Sequence, residues 1–581
     1  MTSADQKDIA TEEEVGQSMT IVREITDEKR HGQHYTPTEL ADFLVERSFA
    51  ALALDAESLT VIDPACGDGE LLLAAASIAS STGYSGSLNL IGYELDEAAV
   101  IAANRRLDAA GVRAEIILGD FLVHQRNMSS GTVDLIITNP PYVRTQHLGQ
   151  EAARLLANEF SLTGRVDLTH PFVSVASRLL SKDGTLGLLC SNRFLTTLSG
   201  ENVRRTLMNS GLQVGELYDL GDTKLFKAAV LPAIIVANKT SPTGRPSKYV
   251  SAYESSSSKG NVSLFDALRT SESSMAFHNG KDYEVKVGSF VPPADTKTPW
   301  RLSDPESDQW LEMIKERTWK TFGDIAKIRV GIKTTADRVF LGDDWERSAP
   351  NVEDELLLPL ITQNNITPWK TSDSLEMKVL YPYNLSSNKR QVLDIEDWPG
   401  TKAYLLTHEQ QLQGRKYVIE GGRKWYEIWV PQRPALWAEP KIVFPDISEN
   451  PRFALDTTGA VVNGNCYWIS LADFENEDIA YLMLAVANSS LGLRYYDEVC
   501  GNRLYSGKRR WITQYVRRLP LPSPDTAESK KLIAEARALT AGSEAGGEQF
   551  KQLDSDVAAA FVASPPFGST AELTPAEETL F

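Results

Sequence analysis

The chain has 581 residues, of which 42% are hydrophobic and 24% charged, the balance of an ordinary globular protein and enough to bury a substantial core without disulfide staples. Its net charge of −19 excludes a protein that coats nucleic acid indiscriminately, but not one that grips it in a locally basic cleft. The cysteines Cys66, Cys190, Cys466 and Cys500 are too far apart for a CxxC metal or redox pair, the acidic N-terminus is no signal peptide, and no apolar run approaches the ~18 residues of a membrane span, so a cytoplasmic protein without a metal site or membrane contact is expected.

Residues 1–30 read as a loosely helical arm. From about 35 to 240, apolar runs (LTVIDPA, LNLIGYEL, AEIILGD, VDLIITNPP, GTLGLLC, AIIVANK) alternate with helix candidates such as TELADFLVERSFAALA and DEAAVIAANRRLDAAG. That alternation predicts an α/β domain over 31–245, with parallel β-α-β units and functional residues at the carboxyl ends of the strands. A Ser/Gly/Lys-rich stretch, roughly 240–262, reads as a linker or long surface loop, and 246–310 as a connecting segment. Tryptophan and proline become dense in the next part, which predicts a second domain of mixed α+β character over 311–522. Near its end a helix candidate, EDIAYLMLAVANSSL, precedes a stretch from Gly501 to Pro520 with Arg503, Lys508, Arg509, Arg510, Arg517 and Arg518 and no acidic residue. On charge alone that stretch reads as a solvated surface. Residues 523–581, rich in Ala, Glu and Ser, read as a helical tail.

The first motif is VIDPACGDGELLLAAA at 61–76. A β-branched strand ends at Asp63, a short loop follows through Ala65, Cys66, Gly67 and Gly69, and an apolar helix begins. The glycines allow the backbone to turn tightly and lie against a ligand without a Cβ in the way. The spacing is not GxxxxGK[ST] and no lysine follows, so the loop suits a ligand without a triphosphate. The second is LIGYELDEAAV at 90–100: Glu94, about 30 residues after Asp63, stands where an acidic side chain accepts from ribose hydroxyls, with Leu95 beside it, while Asp96 is the N-cap candidate of the next helix. The third is ILGDFL at 117–122, in which Asp120 is placed to accept from an adenine amine and Phe121 to pack on the ring.

The fourth is DLIITNPPYVRTQ at 134–146, where an apolar strand runs into Asn139, Pro140, Pro141 and Tyr142. Consecutive prolines lock φ and donate no N–H, so the carbonyls there can be held outward as acceptors. A planar NH2 group can donate one hydrogen to the Asn139 side-chain oxygen and the other to the Pro140 carbonyl, and Tyr142 offers a face for stacking.

With these four in order, the segment resembles the amino-methyltransferase branch of the class I, Rossmann-like methyltransferases, and more narrowly the gamma-class, TaqI-like N6-adenine DNA methyltransferases of restriction-modification systems. The resemblance implies S-adenosyl-L-methionine as cofactor and a further cofactor motif before the Gly loop. HGQHYTPTELADFLVE at 31–46 matches it, with Tyr35 and Thr36 before Pro37; the alternative is a Thr-Pro helix start capped by Thr36. It also implies that Phe172, in GRVDLTHPFVSVASRLLSKDGTLGLLCSNRFL at 164–195, packs near the cofactor adenine. Phe226, in DLGDTKLFKAAVLPAIIVANK at 219–239, falls where a second aromatic, with Tyr142, stacks the flipped-out base. A core phenylalanine is the other reading of Phe226.

The resemblance reaches the second domain more weakly, through KIRVGIKTTADRVFL (327–341), LLPLITQNNITPW (357–369) and LAVANSSLGLRYYDEVCGNRLYSGKRRWITQYVRRLPLP (484–522), and implies a C-terminal α+β target-recognition domain. The chain departs from the pattern at Thr334-Thr335, where the family often has Thr-Gly, and at Gln363-Asn364, where it often has Arg-Gly. On this reading double-stranded DNA is the partner: Arg503, Lys508, Arg509 and Arg510 are candidates for phosphate contacts, and Arg415, Lys416, Arg423 or Asn502 for base edges.

NPPY also occurs in enzymes that methylate a glutamine amide of release factors or guanine amines of ribosomal RNA. The cofactor motif before the Gly loop and the roughly 270 residues from about 250 to 522 favour DNA. A catalytically idle DNA-binding defence subunit is a further alternative. There is no convincing PD…(D/E)xK cluster, so a restriction nuclease, or other defence-system subunit, is expected on a separate chain.

Overall fold

The computed structural model describes residues 35–141, 158–160, 169–197, 200–226, 231–239, 247–255, 258–293, 295–303, 305–500, 507–542 and 547–565. The described residues before 304 form one compact unit, and those from Pro305 onward, Gly507 apart, form a second.

In the first unit, β1 (Ser58–Asp63), β2 (Ser87–Glu94), β3 (Glu115–Leu118), β4 (Val133–Thr138) and β5 (Leu180–Ser191) are parallel and ordered β3-β2-β1-β4-β5. Among the described residues, α1 (Thr38–Ala50) precedes β1, α2 (Glu70–Ser81) links β1 to β2, and α3 (Glu97–Ala109) links β2 to β3. A short helix, α4 (Phe121–His124), follows β3, and α5 (Thr169–Leu179) runs directly into β5. Strands covered on both faces read as continuous apolar runs. Accordingly Leu135, Ile136 and Ile137 in β4 are all fully buried. In α1, Leu40, Phe43 and Leu44 are fully buried at the three-to-four spacing of one helix face, each contributing on the order of 1.5–3 kcal/mol. Asp96 caps α3, accepting from the Ala98 N–H at 2.9 Å.

The sheet does not stop where the alternation does. β6 (Gln213–Asp219) and β7 (Pro232–Asn238) form a hairpin whose second strand inserts antiparallel between β5 and β6. β8 (Ser247–Glu254), β9 (Val262–Ser263), β10 (Ser274–His278) and β11 (Lys281–Phe290) then extend the order to β7-β6-β8-β11-β10-β9, eleven strands among the described residues. This corrects two expectations. The stretch near 240–262 holds strand β8, and 246–310 continues the sheet and does not merely connect domains. Composition misleads because β8, SKYVSAYE, carries serine and lysine at its half-exposed positions, while Tyr249, Val250 and Ala252 are buried.

The second unit has a five-stranded sheet, in order Arg329–Val330, Cys466–Ser470, Lys441–Pro445, Ala454–Asp456 and Trp369–Lys370, and a four-stranded one built from Leu341–Gly342, Lys378–Leu380, Leu357–Ile361 and Val461–Val462. The apolar run near 477–491 is the helix Asp478–Asn488, with every residue from Ile479 to Ala487 buried, followed by a second helix, Ser490–Cys500. The tail contributes helices Ala527–Thr540 and Gly547–Ala563. Leu532 and Phe561, one from each, lie in the same apolar cluster as Leu482, so these helices complete a core. An ion pair is buried here too: Lys441 Nζ lies 2.9 Å from Asp456 Oδ2, with neither side chain exposed.

Candidate active site

Because β1, β2, β3 and β4 are parallel, Asp63, Glu94, Asp120 and Asn139 end on, or just beyond, the same edge of the sheet. The Gly loop crosses that edge. The Cys66 N–H donates to the Tyr93 carbonyl at 2.9 Å and the Gly69 N–H to the Cys66 carbonyl at 2.8 Å. Gly67 has φ +52° and Gly69 φ +83°, backbone that a side chain would strain. The Tyr35 ring lies over Gly67, 3.5 Å from where a Cβ would stand. Cys66 is buried against Gly92, where an added Cβ would sit 2.8 Å from Sγ, and burial pushes its thiol well up.

Glu94 ties the loop to its own strand end. Its carboxylate accepts from the N–H groups of Gly67 at 2.9 Å, Leu95 at 2.8 Å and Asp96 at 2.9 Å, yet burial outweighs them and holds the group above the usual carboxylate range. The Gly119 N–H donates to the Glu94 carbonyl at 2.8 Å, which brings Asp120 alongside. Asp120 accepts from the Leu122 N–H at 2.8 Å, and burial raises its pKa as well. Beyond it, the rings of Phe121 and Phe172 stack at 5.9 Å and 26°, both buried.

Asp63 is 1% exposed. Oδ1 accepts from the Ala65 N–H at 3.1 Å, and burial pushes the carboxyl up to about 8. On the adjoining strand end lies the Thr138 hydroxyl. It is buried beside the Asp63 carboxyl, whose charged form it favours by hydrogen bonding. Reading the sequence overlooked Thr138. Its signal was a hydroxyl closing an otherwise apolar strand. Arg106 was also overlooked: it reaches from α3 to Asp68, 2.5 Å away, and to Glu70, pinning the loop and the start of α2.

Thr36 does not cap α1, whose N-cap is Pro37. Its Oγ1 accepts from Asn139 Nδ2 at 3.0 Å. That contact orients the Asn139 amide from behind. Pro140, next to it, is buried and Pro141 exposed. Tyr142 lies outside the described residues. The structure therefore brings Tyr35, Thr36, Asp63, Ala65, Cys66, Gly67, Gly69, Glu94, Leu95, Asp120 and Asn139 to one stretch of the edge. Phe226 is placed differently: it is 5% exposed, in the apolar cluster that includes Phe43, Tyr218 and Leu220, so its ring presents no open face.

In the second unit, most of the arginines expected to meet DNA are committed elsewhere. Arg509 makes a two-pronged pair with Asp497, both contacts 2.7 Å, and Arg510 pairs with Asp446 at 3.3 Å. Both sit in Arg509–Arg510, a strand paired with Ile447–Ser448. Arg415 is buried and donates to the carbonyls of Leu412, Thr334 and Trp425 at 3.2, 2.9 and 2.7 Å, and Arg423 lies over the Trp429 ring at 4.6 Å. Each of these side chains has a structural partner within the second unit. Lys416 and Lys508 are exposed; Asn502 and Arg503 lie outside the described residues. At the Thr334-Thr335 departure, Thr335 has φ +58°, so the backbone there keeps the conformation that a glycine would favour.

Comparison with known proteins gives the family. The family model for N-6 DNA Methylase matches residues 21–275. The Type II methyltransferase M.BanIII of Aneurinibacillus aneurinilyticus is 37% identical over 550 residues, which are 90% of this chain and 94% of the relative. The chain belongs to the N-6 DNA methylase family. It is a methyltransferase of the restriction-modification kind, and the family's methyl donor is S-adenosyl-L-methionine. A second relative, the Type II methyltransferase M.BstVI of Geobacillus stearothermophilus, is 25% identical over 543 residues, 88% of this chain and 94% of its own. The fold extends further than close sequence similarity: the Type IIL restriction-modification enzyme MmeI, solved in complex with DNA, superposes with a TM-score of 0.60 at 14% identity, covering 95% of this chain and 76% of MmeI.

The site suits such a donor. Glycines keep the loop free of side chains, and Glu94 and Asp120 bring carboxyl oxygens to the same strand ends, where they can accept from hydroxyl and amine donors or sit near a cation.

Proposed function

We propose that this N-6 DNA methylase transfers a methyl group to the exocyclic N6 amine of an adenine flipped out of double-stranded DNA, at a specific sequence. The observation that carries the reading is the Asn139–Thr36 contact at 3.0 Å, which sets the amide at the end of β4, beside the Gly loop. Residues Tyr35, Thr36, Asp63, Gly67, Glu94 and Asp120, with Phe121 and Phe172, would hold S-adenosyl-L-methionine, which supplies an electrophilic methyl group on a sulfonium. With the Asn139 Nδ2 turned toward Thr36, the side-chain oxygen is the end that receives an amine hydrogen. The Pro140 carbonyl receives the other. Two acceptors on one NH2 group leave its nitrogen lone pair directed out of the base plane, which is positioning and electrostatic catalysis. Tyr142, with Phe226 if its ring leaves the apolar cluster, would stack the extruded base.

The test is transfer of a tritiated methyl group from the cofactor to DNA, RNA or protein. Label is expected in DNA, in adenine, and Asn139→Ala is expected to reduce it by at least about 100-fold. Label in RNA or protein, and none in DNA, would refute the reading.

A further inference from the structure

One buried cluster at the same edge has no part in that chemistry. Asp219 ends β6 and is 5% exposed. Its Oδ1 accepts from Asn192 Nδ2 at 2.8 Å and from the Gly221 N–H at 3.2 Å, and its Oδ2 accepts from the Tyr253 hydroxyl at 2.6 Å. Asn192 directly follows β5 and Tyr253 lies in β8, so three strands meet on a single carboxylate. They meet over the start of β7: the Asn192 N–H donates to the Leu231 carbonyl at 2.8 Å and the Leu220 N–H to the Pro232 carbonyl at 2.9 Å.

The turn after Asp219 is pinned along its length. Gly221 has φ +45°, and a Cβ there would fall 2.5 Å from the Ala252 carbonyl oxygen and 2.7 Å from the Tyr253 ring, so no other residue fits. Asp222 Oδ1 accepts from the Glu254 N–H at 2.8 Å, and the Thr223 hydroxyl donates to the Leu220 carbonyl at 2.7 Å. Lys224 holds φ +51°, and the turn ends at Phe226. Burying a carboxylate among hydroxyl, amide and backbone donors is an expensive way to fasten three strands; apolar packing would do it with less penalty. Three directional bonds give something apolar packing does not, a fixed register between strand ends.

We propose that Asp219 is a positioning residue for methyl transfer: through Asn192, Gly221 and Tyr253 it fixes the Leu220–Phe226 turn relative to the end of β5, and so holds the target-base side of the edge in register with Asn139. This rests on the adenine-methylation reading above. On this reading Asp219 acts through the turn, not on the base or the methyl donor.

The experiment uses the full chain with Asn192→Ala, Tyr253→Phe, Asp219→Asn and Asp219→Ala, each beside the wild type. Initial rates at saturating DNA and cofactor, KM for DNA, cofactor dissociation constant and melting temperature are measured for all five. Tyr253→Phe and Asn192→Ala each remove one bond and serve as the folded variants if Asp219→Ala does not fold. They are expected to keep cofactor affinity within about twofold while kcat falls about tenfold, equivalent to about 1.4 kcal/mol. Asp219→Asn, which retains an acceptor for Asn192 and Gly221, is expected to keep more activity than Asp219→Ala. Folded variants with wild-type kcat and KM would overturn the proposal. So would cofactor affinity and melting temperature falling in step with kcat, because a merely structural role does that. A wild-type chain that leaves DNA unmethylated would overturn the reaction reading, and this proposal with it; an active wild type with unaffected variants overturns this proposal alone.

Discussion

Thr36 Oγ1 accepts a hydrogen bond from Asn139 Nδ2 at 3.0 Å, across 103 positions of chain. The bond joins the segment before the Gly loop to the segment after β4, so the segment that lies over the Gly loop also orients the Asn139 amide, which on the proposed reading receives the substrate amine. Thr36→Val keeps the shape and removes the acceptor. A neutral hydrogen bond contributes about 0.5–1.5 kcal/mol, so kcat is expected to fall up to about tenfold. Thr36→Ser restores the acceptor and is expected to stay near wild type. Steady-state methylation of a DNA substrate checks both.

Asp63 gives a pH dependence with a definite sign. Its carboxyl is raised to about 8 by burial, against about 3.9 in an unfolded chain. Between those values the folded state holds a proton that the unfolded state has released. Its contribution to stability is therefore whole below about pH 4, declines as pH rises, and is lost above about pH 8. Asp63→Asn removes the ionisation. In thermal melts without cofactor, the variant is expected to gain on the wild type as pH goes from 5 to 8.5; a constant difference across that range would show that Asp63 is ionised throughout.

Lys508 and Arg509 are neighbours with opposite expectations. Lys508 is exposed, whereas Arg509 is held by Asp497 through two bonds of 2.7 Å. If Lys508 meets a phosphate, Lys508→Ala should weaken DNA binding uniformly across sequences and reduce the magnitude of the salt slope by about one. Arg509→Ala should lower the melting temperature and leave that slope unchanged. Binding isotherms at several salt concentrations, paired with thermal melts, separate the two.

Thr335 carries a β-branched side chain at φ +58°, a left-handed conformation that costs on the order of 1–2 kcal/mol for a residue with a Cβ. Thr335→Gly relieves this but loosens the unfolded chain and gives up the bond from Thr335 Oγ1 to the Thr334 carbonyl. A net gain of up to about 1 kcal/mol is expected, read as a higher midpoint in denaturant unfolding. A loss would mean that the hydroxyl matters more than the strain.

The grouping of strand ends along this edge was legible in the sequence because parallel strands place their last residues together. Once VIDPACGDG, LIGYEL and DLIITNPP were read as strands, Asp63, Glu94 and Asn139 had to meet. The contact between Thr36 and Asn139 was not legible, since no local pattern says which hydroxyl a distant amide will find. Strand β8 was hidden by serine and lysine at half-exposed positions. The ion pairs of Arg509 and Arg510 were hidden for a related reason: the stretch 501–520 holds no acidic residue, and Asp446 and Asp497 arrive from other parts of the chain. Phe226 could be placed on a motif, but not assigned to a face, because burial depends on what Phe43 and Tyr218 do around it.

The most direct test is to sequence modified bases in DNA from cells expressing the wild-type chain and, separately, Asn139→Ala. N6-methyladenine is expected at one recurring sequence with the wild type and at none with the variant. Methylated adenine at that sequence in both samples, or in neither, would contradict the assignment of Asn139 as the residue that receives the adenine amine.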